Sequence, residues 1–261
     1  MSRDTPSVTM IGAGRVGLAL STRAQEAGVP CNLVTRITGW EALSGAAGVP
    51  ILVTTRNDDL EAVVAQVPEE RRSDLVFVQN GMLQPWLVSR GLGECSRGLL
   101  YFAVPTRHAP VAPGGASLFT GARAHQLVQW FGAVALDARA LEPHAFAEAE
   151  LEKLIWNAAF GLLCQRFDLS VGAVVEHKAA CLRDLVAEMA QVGRAALGVD
   201  LALDPLLARL CRYSMTIPGY LGAVRDWPWR NGWVEGEAVR MGIATPLHRE
   251  LLHGAGYILK K

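Results

Sequence analysis

Three glycines at positions 12, 14 and 17 have the spacing of a loop that cradles a pyrophosphate. They sit in the run Gly12-Ala13-Gly14-Arg15-Val16-Gly17, directly after an apolar segment, Val8-Thr9-Met10-Ile11. Gly12 permits a tight turn out of a strand. Gly14 lets backbone N–H groups approach phosphate oxygens with no Cβ in the way, and Gly17 lets the following helix pack close to the strand. The N-terminus of that helix then offers unpaired donors and the positive end of its dipole to the phosphates. GxGxxG alone is a weak signal, and a glycine-rich turn without a ligand is the alternative. The strand before and the helix after supply the context that favours the ligand.

The end of the second expected strand decides which dinucleotide fits. An NAD site places Asp or Glu there for the ribose 2′-hydroxyl, whereas this chain has Thr35-Arg36 and no acid until Glu41. A carboxylate repels a 2′-phosphate, and a guanidinium can hold one with two parallel hydrogen bonds. NADPH is therefore the expected cofactor, with Arg56, after the third expected strand, as a second contact at the adenosine end. The alternative is that Arg36 and Arg56 are solvated surface charges.

A second group of residues can handle protons. Lys153 and Asn157 stand four apart and share one face of a helix, which Gly161 continues. Hydride delivery to a carbonyl builds negative charge on oxygen. An ammonium group stabilises that charge and supplies the proton, and an amide can hold a carboxylate or carbonyl. Standing by itself, the pair reads first as a lysine whose stem lies along an amphipathic helix and a satisfied core amide.

Elements must position these residues. Val8–Ile11, 31–35, 50–54, 75–78 and 99–104 read as strands, with helices expected over 15–27 (closed by Gly28) and over 60–66. Only a turn or brief helix fits between 36 and 49. Residues 108–115 read as a loop and 117–119 as a late strand. Strands alternating with helices imply right-handed crossovers and a mostly parallel sheet. Beyond Leu141 strand signals fade, and helices are expected over 146–163, 177–197, 205–213, 233–241 and 246–259. The expected fold is an α/β Rossmann-type domain over 1–142 followed by an all-α domain over 143–261, with the active site in a cleft between them.

Composition narrows the classes. The 261 residues are 51 % hydrophobic and 19 % charged, which supports packed cores over disorder. The formal charge is zero, so no nucleic-acid partner is expected. No apolar run approaches the roughly 18 residues of a membrane span. The polar stretch 1–7 has no signal-peptide core, and a cytoplasmic location is expected. The five cysteines are scattered without a CxxC pair, and the six histidines show no metal-like pairing, so no metal is expected. Trp227, Trp229 and Trp233 read first as packing or a dimer contact.

Further residues carry a family resemblance. The chain resembles the ketopantoate reductase (2-dehydropantoate 2-reductase) family through the Ile11–Gly17 loop, Gln79-Asn80-Gly81-Met82, Glu152-Lys153-Leu154-Ile155-Trp156-Asn157, and a distal block from Ser214-Met215 through Asn231-Gly232. The order and spacing match over almost the whole chain. The resemblance implies that Lys153 is the catalytic proton donor, that Asn80 lies beside the nicotinamide, and that Asn157 and Ser214 bind the substrate, a small 2-oxo acid. A homodimer through the helical domain is also expected. The chain departs from the family in several places. The 36–49 segment is short, Gly161 replaces a second asparagine, and Asp226 stands for a glutamate that holds the substrate's hydroxyl end, with Pro228 in place of a following acid. Gly161 is expected to open space for a bulkier substrate than ketopantoate. Two other readings remain open. One is a β-hydroxyacid dehydrogenase, disfavoured because no glycines precede Lys153. The other is an NADPH sensor without turnover, disfavoured by Lys153 itself.

Overall fold

Apolar runs bounded by turns become buried strands in the computed structural model, which describes residues 6–258. Residues 1–5 of the polar N-terminal stretch, and Leu259, the expected end of the last helix, lie outside the described residues. The chain divides into two compact units. One runs through Gln79 and resumes over Leu83–Phe146; the other comprises Asn80–Met82 and the chain from Ala147 onward.

The first unit is built on a seven-stranded sheet. Its strands are β1 (Val8–Ile11), β2 (Cys31–Val34), β3 (Ile51–Val53), β4 (Leu75–Phe77), β5 (Ser96–Leu99), β8 (Ser117–Thr120) and β9 (Ala138–Ala140), in the order β2-β1-β3-β4-β5-β8-β9. A separate hairpin pairs β6 (Phe102–Ala103) with β7 (Ala112–Pro113). All neighbours in the large sheet are parallel except β5 and β8. β1, β3 and β4 are buried at every residue. That burial is what a central parallel strand covered on both faces requires, and it explains why these strands read as unbroken apolar runs. The helices are α1 (Arg15–Glu26), α2 (Leu60–Gln66), α3 (Gln84–Ser89) and α4 (Ala124–Ala133). α4 buries Leu127, Trp130 and Phe131.

The fifth strand differs from expectation. It begins at Ser96 and ends at Leu99, and the apolar residues beyond it pass into the small hairpin. Gly98 explains the shift. A Cβ there would lie 2.5 Å from the Phe119 ring, so this strand needs a small residue at its centre and loses its apolar signature. The short 36–49 segment carries a 3-10 turn, Glu41–Ser44. It is tied down by a buried ion pair, Arg71 Nε to Asp74 Oδ2 at 2.6 Å. Arg71 donates onward to the carbonyls of Leu43, Gly45 and Val49, and Asp74 accepts from Gly48 N. Each buried charge is thus hydrogen-bonded as well as paired.

The second unit is all-helical. Its helices are α5 (Pro143–Phe167), α6 (Val171–His177), α7 (Ala179–Leu197), α8 (Leu203–Thr216), α9 (Asn231–Met241) and α10 (Pro246–Gly254). Here 177–197, expected as one helix, splits at Lys178. Leu151, Leu154, Ile155, Ala158, Ala159, Leu162 and Leu163 of α5 are all buried. A helix apolar around most of its circumference belongs at the centre of a core. Met82 joins that core. No single helix among the described residues is long and apolar enough to cross a membrane.

Candidate functional site

The glycine loop is fixed by the ends of three strands. Gly12 N donates to Val34 O at 3.0 Å, Thr54 N donates to Ile11 O at 2.9 Å, and the Thr54 hydroxyl donates to Ile11 O and Gly12 O. Gly12 holds φ +109°, where an L side chain is strained, and a Cβ at Gly17 would lie 1.9 Å from Gly12 O. Gly12 therefore serves the turn and Gly17 the helix–strand contact, as their spacing predicts. Gly14 caps α1 without any side-chain bond, and the first turn of α1 carries no acid. Its first-turn N–H groups therefore have no side-chain cap.

A groove of about 540 Å³ opens there, lined by Gly12, Gly14, Arg36 and Arg56 among others. That size suits a nucleotide-sized ligand. The structure brings these four expected residues together but leaves Arg15, Val16 and Gly17 off the groove wall. Arg15 Nη1 instead donates to Pro105 O at 3.1 Å. The Thr35 hydroxyl accepts from Ile37 N and Thr38 N, a tight turn that puts Arg36 at the groove edge. Arg36 is 86 % exposed along its side chain and ion-pairs with Asp59 at 3.2 Å. Asp59 and Arg107 also line the groove and were missed from sequence. Asp59 lies 23 residues from its partner, and Arg107 falls between the expected fifth strand and the expected loop. Neither has a local pattern to announce it.

In the helical unit, α5 carries Lys153 and Asn157 one turn apart, and Asn157 Nδ2 donates to Lys153 O at 2.8 Å. Burial first, and the Arg230 guanidinium second, lower the Lys153 amine to about 7 against a partial offset from Glu150. Asn157, Trp156, Arg225 and Arg230 line a cavity of about 20 Å³. Asp226 holds a left-handed conformation, φ +48°, and its Oδ2 meets Arg230 Nη2 at 2.7 Å. Asn80, an exposed residue, opens the tripeptide counted with this unit. Next to it Gly81 holds φ +104°, a Cβ there would lie 2.5 Å from Trp229 O, and Met82 N donates to that oxygen at 2.8 Å. Trp227 stacks on Tyr257, and Trp233 is buried.

Two expectations are corrected. Ser214 is fully buried; it accepts from Trp156 Nε1 at 2.9 Å and donates to Leu210 O at 3.0 Å. Its hydroxyl proton is committed to the helix, and the residue does not line the cavity. Gly161 does not open space. A Cβ there would lie 2.7 Å from Ala223 O, so the 222–224 backbone already fills the room that the missing side chain leaves. Gly161 itself lines the small cavity, whose volume is only about 20 Å³.

No family model and no curated protein matches the sequence. The fold, however, is that of the ketopantoate reductases: a mostly parallel Rossmann-type sheet and an all-helical unit. A PanE/ApbA family ketopantoate reductase from Ralstonia eutropha is similar at TM-score 0.74 and 20 % identity, over 96 % of this chain and 97 % of that one. A dimeric ketopantoate reductase from Staphylococcus aureus is similar at 0.73 and 14 %, over 96 % and 97 %. A D-mandelate dehydrogenase solved with NADH is similar at 0.73 and 15 %, over the same shares.

Proposed function

We propose that this chain is a nicotinamide-dependent reductase of a small 2-oxo acid, with NADPH as the preferred donor. The observation that carries the reading is Lys153. A half-buried amine held near neutrality, one helical turn from an amide on a cavity wall, is a proton donor poised at its working pH. A protein that only senses the dinucleotide has no use for it.

The groove residues fit a dinucleotide. Gly12 and Gly17 leave the backbone bare, Gly14 and the α1 N-terminus would hold the phosphates, and Arg36 and Arg56 would hold a 2′-phosphate. Bound there, the cofactor supplies the hydride. Lys153 delivers its proton to the carbonyl oxygen as charge develops on it, Asn157 orients the substrate, and Asn80 steadies the nicotinamide. Asp226 acts through Arg230. Oxidation of NADPH on addition of branched or unbranched 2-oxo acids, ketopantoate included, tests the proposal; no consumption with any of them removes it.

The five free cysteines accord with a reducing, cytoplasmic setting. A homodimer through the helical unit is supported by Met215, Leu221 and Val239, all exposed there.

A further inference from the structure

One buried charge in the helical unit has no structural task that accounts for it. Arg230 is 8 % exposed, and its Nε is buried without a hydrogen-bond partner. Its one ion-pair partner among the described residues, Asp226, touches a single Nη and is itself 42 % exposed. A guanidinium offers five donors in a rigid fork. A buried donor left unmet is costly and rare, and each instance calls for a missing partner. Arg230 lines the Asn157 cavity, where the exposed Arg225 adds a second cation. Tyr220, Trp156 and Phe160 form the apolar part of the wall. The volume, about 20 Å³, admits a water or the end of one small group. The close approach of Gly161 to the 222–224 backbone stops it from growing.

We infer that Arg230 receives the carboxylate of the substrate, with Asp226 holding the guanidinium in place and Arg225 adding charge at the rim. The inference rests on the 2-oxo acid reading and deepens it. The acid end is gripped by a charge-assisted bond from Arg230, in place of the Ser214 hydroxyl that the structure locks into α8. The carbonyl is thereby held toward Lys153, which shares the field of the same guanidinium. The site selects a free carboxylate over an ester or amide, and a substrate that is compact at its acid end.

Oxamate, a non-reducible 2-oxo acid mimic, probes the site directly. Its binding is measured by calorimetry, with and without NADPH, in the unaltered protein and in Arg230→Gln, alongside the thermal midpoint. The expected result is a loss of roughly tenfold to a hundredfold in oxamate affinity, the scale of one buried charge-assisted bond. NADPH affinity should stay within about twofold. In turnover, kcat/KM for a 2-oxo acid should fall by the same factor while that for its methyl ester barely moves, so the acid-to-ester preference collapses. A purely structural Arg230 would lower both together, and that result, or equal oxamate affinity in both proteins, overturns the inference. If Arg230→Gln does not fold, Arg230→Lys decides. It keeps the charge and the Asp226 pair but loses Nε, so oxamate should weaken about tenfold; unchanged affinity overturns the inference. Oxamate binding that needs Arg230, in a protein that oxidises NADPH with no 2-oxo acid, upholds the anion site and removes the reductase reading alone.

Discussion

At the scale of residues, Lys153 and Arg36 carry the sharpest expectations. A lysine that donates a proton must start protonated. With its amine brought down to about 7, the rate of reduction should level off below that pH and fall as pH rises through it. The reverse oxidation, which needs the free amine, should rise over the same range. Steady-state kcat across pH 5.5–9 checks this, and a profile flat through 7 assigns the proton to another group. Lys153→Ala should cost on the order of a hundredfold or more in kcat with NADPH affinity little changed. For the cofactor, NADPH should bind at least tenfold more tightly than NADH, about 1.4 kcal/mol. Arg36→Asp should erode or reverse that preference. Asp59 refines the expectation, because it competes with a 2′-phosphate for the same guanidinium. Asp59→Asn should therefore widen the preference, and fluorescence titration of both cofactors reads all three proteins. The glycine loop was legible in the sequence because its chemistry depends on local spacing. Asp59, Arg107 and Arg230 were not legible as site residues, because their roles arise from pairings and burial that only the folded chain brings about.

At the scale of elements, close packing decides what the sequence conceals. Gly161 read as a cavity, yet the backbone of 222–224 lies against it. Gly161→Ala should force α5 and that segment apart and cost roughly 1–3 kcal/mol, the usual range for overpacking. Urea unfolding measures this; an unchanged midpoint contradicts the geometry. The α9–α10 contact offers a second test. His248 is fully buried, its Nε2 lies 3.0 Å from Asn231 Oδ1, and Glu188 caps α10 through Leu247 N and His248 N. Burial pushes the imidazole from 6.5 down to about 4. The native state thus resists a proton that the unfolded chain accepts. Stability from this group is complete above 6.5 and is lost as pH falls toward 4, a difference of roughly 3 kcal/mol. Thermal melts between pH 7 and 4 should show that loss, and His248→Gln should flatten it. Central strands and long helices announced themselves through period and apolar run. β5 did not, because contact with Phe119 demands Gly98. α4 was overlooked although Leu127, Trp130 and Phe131 follow helical spacing, and the Lys178 break appears only as a backbone turn.

At the scale of the molecule, the exposed Met215, Leu221 and Val239 of the helical unit predict self-association. Sedimentation should report twice the mass of one chain, and Leu221→Glu together with Val239→Glu should return the monomer. A single-chain mass for the unaltered protein ends the dimer proposal.

Sequence order and structural order part company at one point. Met82 completes the core of the helical unit, and its N–H is held by Trp229. On the ribosome Met82 emerges long before Trp229. At ordinary elongation rates the delay is on the order of ten seconds. Throughout that interval an apolar side chain waits in water for a partner still being made, and a chaperone that binds exposed methionine has its opportunity there. A fragment starting at Ala147 would meet the opposite difficulty, with a helical core lacking a residue that no downstream codon supplies.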